Sequence, residues 1–277
     1  MAKLLLFLCL LCIAPVTVQA DFDGRVLVPP GEVKLPIIMY HLVTESPKYI
    51  GKYGITPAQL EADLIYLKEN GYTTVVMEDV LNFVSNSIPL PEKPILLSFD
   101  DGNYSDYQYL LPLLKKHDMK AVAAIIGEAA NRCGAILADS PKAKVPNMGW
   151  EEIKAIHQSG HIEVVSHGYN VHGAGGSGNK KGESPEAYRH RLSEDLERLQ
   201  QDFETHLGHR PVTFVYPLGV VGKGSRQIIE GVGLQATFGC EEGVNVLTPG
   251  DREGLFTMYR YNRPSSRSVG EILGRIG

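Results

Sequence analysis

The chain has few cysteines. It contains four in 277 residues, and Cys9 and Cys12 lie in an apolar N-terminal segment. The other two, Cys133 and Cys240, are far apart in the sequence and neither has C-x-x-C spacing. Sequence cannot establish whether they are close enough to bond. A disulfide and two free thiols are equally compatible with this pattern, so we assign these cysteines no chemistry.

The chain also lacks blocks of like charge, heptad stretches and internal repeats at solenoid periods. Its net charge of -5 and its pI of about 6.0 argue against a sequence-independent grip on nucleic acid. With 43% hydrophobic and 21% charged residues, the composition is that of an ordinary globular protein. We therefore expect one large domain, acting as a monomer and binding no nucleic acid.

Long apolar runs are absent except at the N-terminus. There, a single Lys3 precedes an apolar stretch that ends at the small-residue site Val18-Gln19-Ala20. The stretch is shorter than the roughly 20 residues that a membrane span needs, and it has the layout of a secretory signal. We predict a signal peptide over residues 1–20, a short lead over 21–35 and one domain over 36–277. Cleavage near Ala20 would give a secreted or cell-surface protein with no integral membrane span.

Short apolar strands alternate with amphipathic helices along the rest of the chain. LPIIMYHLV, KPILLSF and KAVAAIIG are typical of buried strands, and TPAQLEADLIYLKENGY is typical of a helix capped by Thr56. Within YSDYQYLLPLLKKHD, Pro112 predicts a local break. Seven or eight such units in one α/β domain predict a (β/α) barrel, distorted or incomplete, rather than an open sheet.

Polar side chains follow several of the predicted strands. In a barrel of this kind, the chemistry lies where the carboxyl ends of the strands meet the loops that follow them. The residues at these ends are His41, Asp100, Asp101, His167, His172 and Tyr216. The fold would bring them together at one end of the barrel.

The two histidines of SHGYNVH are five residues apart. His167 and His172 can share a ligand only if the chain turns between them, and Gly168 and Asn170 permit a turn. Two imidazoles and one carboxylate around an open position form a catalytic metal site. Such donors suit Zn²⁺ best, with Ni²⁺, Co²⁺ and Fe²⁺ as alternatives.

The heptapeptide LLSFDDG places two carboxylates side by side after a buried strand. We assign Asp101 as the metal ligand and Asp100 as the base that takes a proton from the activated water. The plain alternative is an acidic turn, since Asp and Gly both suit turns. The predicted metal site therefore consists of Asp101, His167 and His172.

These motifs resemble those of the polysaccharide deacetylases with NodB homology, carbohydrate esterase family four. SFDDG resembles the first motif of the family, SHGYNVH the second and VYPLG the third, over about residues 36–268. Histidines five residues apart and the early MYH segment are similar to the branch that deacetylates poly-N-acetylglucosamine. Gly168 stands where the family usually has Ser or Thr, and no clear late Leu-x-His motif is present.

The resemblance implies further roles. In that branch an early histidine acts as the acid, which makes His41 the candidate general acid, although it could also be a packing residue. Arg260 stands where an arginine often lies near the base, and a purely structural ion pair is the alternative. The resemblance also implies a backbone N–H that stabilises the oxyanion, for which Tyr216 is the candidate.

The function implied is metal-dependent removal of N-acetyl groups from an N-acetylglucosamine-containing polysaccharide. Three alternatives stay open: a catalytically silent carbohydrate-binding protein, a metal-dependent amidase acting on a small non-sugar amide, and a non-haem Fe(II) oxygenase, which uses the same ligand types. The Gly- and Ser-rich segment 173–184 is either a rim over the substrate or a flexible connection, and its composition favours the connection.

Overall fold

The computed structural model describes residues 19–20, 26–27, 31–136, 147–173 and 175–276. The predicted signal peptide lies outside these residues except for Gln19 and Ala20. Among the described helices, none combines the length and apolar character that a membrane crossing requires.

Strands alternate with helices along the chain, as the sequence predicts. The strands are β1 (Gln19–Ala20), β2 (Val26–Leu27), β3 (Val33–Leu35), β4 (Ile37–Tyr40), β5 (Leu42–Val43), β6 (Gly54–Ile55), β7 (Thr73–Thr74), β8 (Pro94–Phe99), β9 (Ala121–Ile125), β10 (Ile162–Ser166), β11 (Thr213–Val215), β12 (Ala236–Phe238), β13 (Asn245–Leu247) and β14 (Tyr261–Asn262). The helices are α1 (Pro57–Glu69), α2 (Met77–Asn86), α3 (Leu111–His117), α4 (Gly127–Ile136), α5 (Trp150–Gln158), α6 (Pro185–Leu207), α7 (Ser225–Gly231) and α8 (Val269–Leu273).

The fold is built on one curled parallel sheet. Its strands follow the order β12-β11-β10-β9-β8-β4-β14, and β7 pairs with the start of β8. Because β7 has only two residues, β4 pairs directly with β8 along the rest of its length. Phe238 of β12 forms a parallel bridge with Met258, just before β14, which joins the two edges of the sheet at one point. The predicted distorted (β/α) barrel of seven or eight strands is confirmed.

Side chains of the strands alternate between two cores, as the period of two in a strand requires. Ile38, Leu97 and Phe99 face the outer helices. Leu96 and Val122 belong instead to the cluster that fills the inside of the sheet. Both clusters are almost fully buried, so the sheet forms a rigid frame for the loops at its carboxyl end.

Local signals place the predicted helices accurately. Thr56 caps α1 in a reciprocal pair of hydrogen bonds with Gln59, and Gly71 follows the helix with a φ of 74°. The helix does not end at Pro112, where a break was predicted: a π-helical turn over Asp106–Leu110 runs directly into α3, which contains Pro112. The sequence did not predict α4, or the antiparallel pairing of β3 with β13. Of these, β3 lies in the segment that was predicted to be a lead.

The Gly- and Ser-rich segment after His172 is described over residues 175–184, and there it is hydrogen-bonded to other parts of the fold. The Ser177 side chain is fully buried, and its hydroxyl donates to the carbonyl of Val220. Tyr188, in α6, donates to the Ser177 carbonyl. The segment therefore packs against the loop after β11 rather than forming a free connection.

Candidate active site

A cavity of about 570 Å³ opens at the carboxyl end of the sheet. The end of β4 contributes His41, the end of β8 contributes Asp100 and Asp101, and the loop after β10 contributes His167 and His172. The strands end at the same edge because they are parallel, which is the convergence that the sequence predicted. Five of the seven predicted site residues thus line one cavity.

Three of these side chains converge as a metal site would require. The Oδ1 atom of Asp101 lies 3.1 Å from Nε2 of His172 and 3.6 Å from Nε2 of His167. The ligand atoms of the three residues all lie within 4.8 Å of one another. Two ligands of a tetrahedral Zn²⁺ bound at about 2.0–2.1 Å are roughly 3.3 Å apart. The spacing and the donor types therefore fit a Zn²⁺-like cation that keeps an open fourth position.

The backbone at Asp101 is bent so that its carboxylate enters the cavity. Its φ is 77°, in the left-handed region that Asp tolerates better than most residues, and Gly102 follows with a φ of 64°. The side chain of Asn147 donates to the Asp101 carbonyl over 2.7 Å and fixes the turn. This geometry explains why two adjacent aspartates can serve different purposes: the bend directs their side chains to different partners.

The two histidines are oriented by the loops that carry them. His167 is buried, and its Nδ1 is 2.8 Å from the carbonyl of Val215, which leaves Nε2 for a cation. The chain then turns at Gly168, where φ is 80°, and returns His172 to the same cavity. The predicted turn between the histidines is therefore present.

Burial and the two imidazoles act on Asp101 in opposite directions. Burial alone would raise the pKa of its carboxyl, but hydrogen bonding to His167 and His172 holds that pKa well below its usual range. Hydrogen bonding to Asp101 correspondingly raises the pKa of His172. A cation bound here would displace the proton shared between the carboxylate and the imidazoles, because an imidazole ligates a metal in its neutral form.

Asp100 forms a buried ion pair with Arg260. The guanidinium donates two parallel hydrogen bonds to the carboxylate, of 2.7 and 2.9 Å, and a third to the hydroxyl of Ser98. Burial raises the pKa of Asp100, but the attractions of Arg260, His167 and His41 together outweigh it and the net shift is downward. Arg260 is fully buried and also donates to the Gly239 carbonyl. Arg260 thus lies beside Asp100, as the family resemblance implies, and their ion pair favours the ionised carboxylate.

His41 lies beside Asp100 in the wall of the cavity. Its Nε2 is 4.0 Å from Oδ2 of Asp100, and its ring is 4.7 Å from that of Tyr53. Burial lowers the pKa of His41 more than Asp100 and Asp101 raise it. A carboxylate beside an imidazole raises the pKa of the imidazole by itself, but at His41 the net direction of the shift is the opposite.

The prediction for Tyr216 is wrong in its stated form. The backbone N–H of Tyr216 donates to the carbonyl of Phe238 over 3.0 Å, as part of the β11–β12 pairing. An N–H committed to the sheet cannot stabilise an oxyanion. The Tyr216 side chain is buried as well, with its hydroxyl 2.8 Å from that of Ser225. The third motif reaches the cavity instead at Leu218, a non-glycine residue with a φ of 58°.

Sequence reasoning missed the outer wall of the cavity. Tyr49, Lys52 and Tyr53 line it from the loop between β5 and β6, and the Tyr53 side chain is 49% exposed. Glu242 and Asn262 complete this wall. No local motif marks these residues, because their position depends on the path of a loop. The remaining cysteines, Cys133 and Cys240, are both free thiols, and only Cys240 lines the cavity.

Comparison with known families gives a consistent result. The family model described as polysaccharide deacetylase matches residues 87–237. That range includes the three candidate metal ligands and Asp100, whereas His41 and Arg260 lie outside it.

Similar sequences include two proteins named poly-beta-1,6-N-acetyl-D-glucosamine N-deacetylase. The one from Escherichia coli (strain K12) is 24% identical over 235 residues, which cover 75% of this chain and 34% of the relative. The chain thus spans about a third of the length of that relative. The one from Staphylococcus aureus (strain MSSA476) is 22% identical over 208 residues, which cover 75% of this chain and 68% of the relative.

Solved structures share the fold. A de-N-acetylase from Aggregatibacter actinomycetemcomitans superposes with a TM-score of 0.73 at 23% identity, covering 87% of this chain and 99% of the other. The structure of IcaB from Ammonifex degensii superposes with a TM-score of 0.70 at 24% identity, covering 88% and 96%. At this level of identity the likeness concerns the fold.

Proposed function

The chain belongs to the polysaccharide deacetylase family, and from that premise we propose that it is a metal-dependent N-deacetylase of a polymer containing N-acetylglucosamine. One observation carries the proposal: Asp101, His167 and His172 present their ligand atoms to one point, next to an ionised Asp100, in a cavity of about 570 Å³. The names of the two relatives favour poly-β-1,6-N-acetylglucosamine as the polymer.

The three converging side chains would hold the cation, with Zn²⁺ the best fit to two imidazoles and one carboxylate. When bound, such a cation supplies Lewis acidity and makes a water molecule easier to deprotonate. The chain's own residues supply the rest of the chemistry. His167 is fixed by its bond to the Val215 carbonyl, so little rearrangement is required of it.

Asp100 is placed to accept the proton of the attacking water. A general base must be ionised and correctly oriented, and the two hydrogen bonds from Arg260 provide both conditions. Arg260 acts through Asp100, so we propose it as a positioning residue and not as a group that contacts the reacting atoms.

His41 is proposed to protonate the departing amine. Burial lowers the pKa of His41 and so favours its neutral form, which must receive a proton before it can act as an acid. The nearest source is Asp100, whose Oδ2 is 4.0 Å from Nε2 of His41. The proton would thus pass from water to Asp100, then to His41 and finally to the amine. The amide bond breaks, and a glucosamine unit and acetate are released.

We also propose that the protein works outside the cytoplasm, as a secreted or cell-surface protein. The sequence supports this proposal through the signal predicted over residues 1–20. N-terminal sequencing of the mature protein tests it: a first residue at or near Asp21 is expected, and an intact Met1 would contradict it.

The experiment for the activity is acetate release from a panel of N-acetylated glycans. We expect release from poly-β-1,6-N-acetylglucosamine, loss on treatment with a chelator, and recovery when Zn²⁺ is restored. Acetate release that a chelator does not reduce would contradict the proposed dependence on a metal. Binding of the polymer without release would favour the silent carbohydrate-binding protein, and release only from a small non-sugar amide would favour the amidase. Oxygen consumption dependent on Fe²⁺ would favour the oxygenase.

A further inference from the structure

The turn between the two histidine ligands is held by a side chain that no motif identifies. Asp195, in the middle of α6, accepts a hydrogen bond from the backbone N–H of Tyr169 and another from that of Asn170. Each bond is 2.7 Å long, and each uses a different carboxylate oxygen. The central amides of the turn are therefore both committed to one carboxylate, and hydrogen bonds to a charged acceptor are among the strong ones.

The carbonyls of the same turn are held from the opposite side. The first two N–H groups of α4 donate to it: that of Gly127 to the Gly168 carbonyl, over 3.1 Å, and that of Glu128 to the Tyr169 carbonyl, over 2.9 Å. The first N–H groups of a helix have no partner within the helix, so the turn satisfies them. The guanidinium of Arg198 also lies 3.8 Å from the centre of the Tyr169 ring.

This arrangement explains the glycine that departs from the family pattern. Gly168 has a φ of 80°, a conformation that side chains oppose. A Cβ atom at this position would lie 2.3 Å from Cγ2 of Val171 and 3.2 Å from Oδ1 of Asp195. A serine or threonine would therefore collide with the residues that shape the turn. Here the glycine has a conformational role that replaces the hydroxyl usual in the family.

We propose that Asp195 is a positioning residue that sets the turn over residues 168–171, so that His167 and His172 face Asp101 before a cation binds. The inference rests on the metal site of the proposed function. Without the carboxylate, the two amides lose their acceptor and the turn can relax. A relaxed turn separates two ligands that are five residues apart in sequence, and the affinity for the cation falls.

The test compares the full-length protein with Asp195→Asn and with Asp202→Asn. Asp202 is the matched control, since it lies further along the same helix and bonds the side chain of Asn131, which contacts the hydroxyl of Tyr169 but no backbone group of the turn. Each metal-free protein is titrated with Co²⁺, followed by visible absorption, and with Zn²⁺ in competition with a chelator. We expect Asp195→Asn to weaken binding about 10- to 100-fold and to change the Co²⁺ spectrum, as loss of a residue that orients ligands does. Asp202→Asn should stay within about twofold of the wild type.

A folded Asp195→Asn protein with wild-type affinity and spectrum would overturn the inference alone. A wild type that binds neither ion would overturn the proposed function and the inference with it. If Asp195→Asn does not fold, hydrogen exchange in the metal-free wild type tests the inference instead. Slow exchange of the Tyr169 and Asn170 amides supports a turn held in advance, and exchange that slows only after Zn²⁺ is added overturns it.

Discussion

Arg260 and Arg263 lie close together near the C-terminus, and each forms a buried, two-pronged ion pair with an aspartate. Arg260 binds Asp100 over 2.7 and 2.9 Å, and Arg263 binds Asp63 over 2.7 and 3.1 Å. Asp100 of the first pair lines the candidate active-site cavity, whereas Asp63 and Arg263 of the second pair line a different one. Geometry and burial are nearly equal, so the difference between them lies in what else each aspartate contacts.

Asp63 is surrounded by hydrogen-bond donors of the fold. The hydroxyl of Tyr40 and the backbone N–H of Val269 both donate to it over 3.2 Å, in addition to Arg263. Burial raises the pKa of Asp63, and Arg263 does not reverse that shift. This carboxylate ties α1 to β4 and to the start of α8, and it has no access to the candidate active-site cavity. Its role is to connect elements of the fold.

The carboxylate of Asp100 accepts hydrogen bonds from fewer groups of the surrounding fold than that of Asp63 does. Apart from Arg260, its carboxylate accepts from Ser98, and its Oδ2 is near His41 at the cavity wall. The net shift of its pKa is downward, opposite to that of Asp63. The comparison teaches that an arginine pair alone does not identify a catalytic carboxylate. Asp100 differs from Asp63 in lining the cavity that holds the candidate metal ligands, since Asp63 lines a separate one, and in the direction of its pKa shift.

Substitution of Asp100 is expected to cause the largest loss of activity. Asp100→Asn should reduce acetate release by about 10²- to 10⁴-fold, because a general base typically contributes that much. Zn²⁺ binding should persist, since Asp101, His167 and His172 are unchanged. The measurement is kcat with Zn²⁺ content determined on the same sample. A wild-type rate in Asp100→Asn would show that this carboxylate is not the base.

Asp63→Asn tests the other half of the comparison. Removing one charge of a buried pair typically destabilises a protein by about 3–5 kcal/mol, because the partner is left uncompensated. We expect a loss of this order in urea unfolding, with kcat per folded molecule close to that of the wild type. A fall in kcat as large as that of Asp100→Asn would mean that the two pairs do not have separate roles.

The sequence pattern predicted the place of Asp100 and the family resemblance suggested Arg260, whereas neither pointed to Asp63 or Arg263. Asp100 ends a strand, and parallel strands must end at a common edge, so its place in the site follows from local pattern. Asp63 lies beside Leu60 and Leu64 on the buried face of α1, where a carboxylate requires a partner. That partner is Arg263, 200 positions away. Local periodicity carries no information about a contact of that range.

The contacts of Tyr216 and Asp195 in the candidate site could likewise not be predicted from local sequence. The motif indicated correctly that the loop after β11 reaches the cavity. Which backbone N–H of that loop is free depends on the register between β11 and β12, and that register commits Tyr216 to Phe238. Asp195 lies in a long amphipathic helix, where an acidic residue is normally solvated. Its proposed role depends on a loop that folds back against it.

Arg260→Lys should have an intermediate effect. A lysine keeps the charge but cannot donate two parallel hydrogen bonds to one carboxylate, so Asp100 loses orientation more than charge. We expect kcat to fall about 10- to 100-fold, the range typical of residues that orient a functional group. Arg263→Lys is the matched control and should cost stability while leaving kcat unchanged. Equal kcat values for the two lysine variants would remove Arg260 from the mechanism.

The smallest effect on stability is expected for the ion pair of a third arginine in the same segment, Arg267. Arg267 donates to Glu242 over 2.8 Å, but the Glu242 side chain is 47% exposed. Water already solvates such a pair, so Glu242→Gln should change the free energy of unfolding by less than about 1 kcal/mol, and by less still in high salt. Urea unfolding at two NaCl concentrations measures it. A loss as large as that of Asp63→Asn would mean that burial is not what separates these pairs, and the ranking of all three would then have to come from geometry alone.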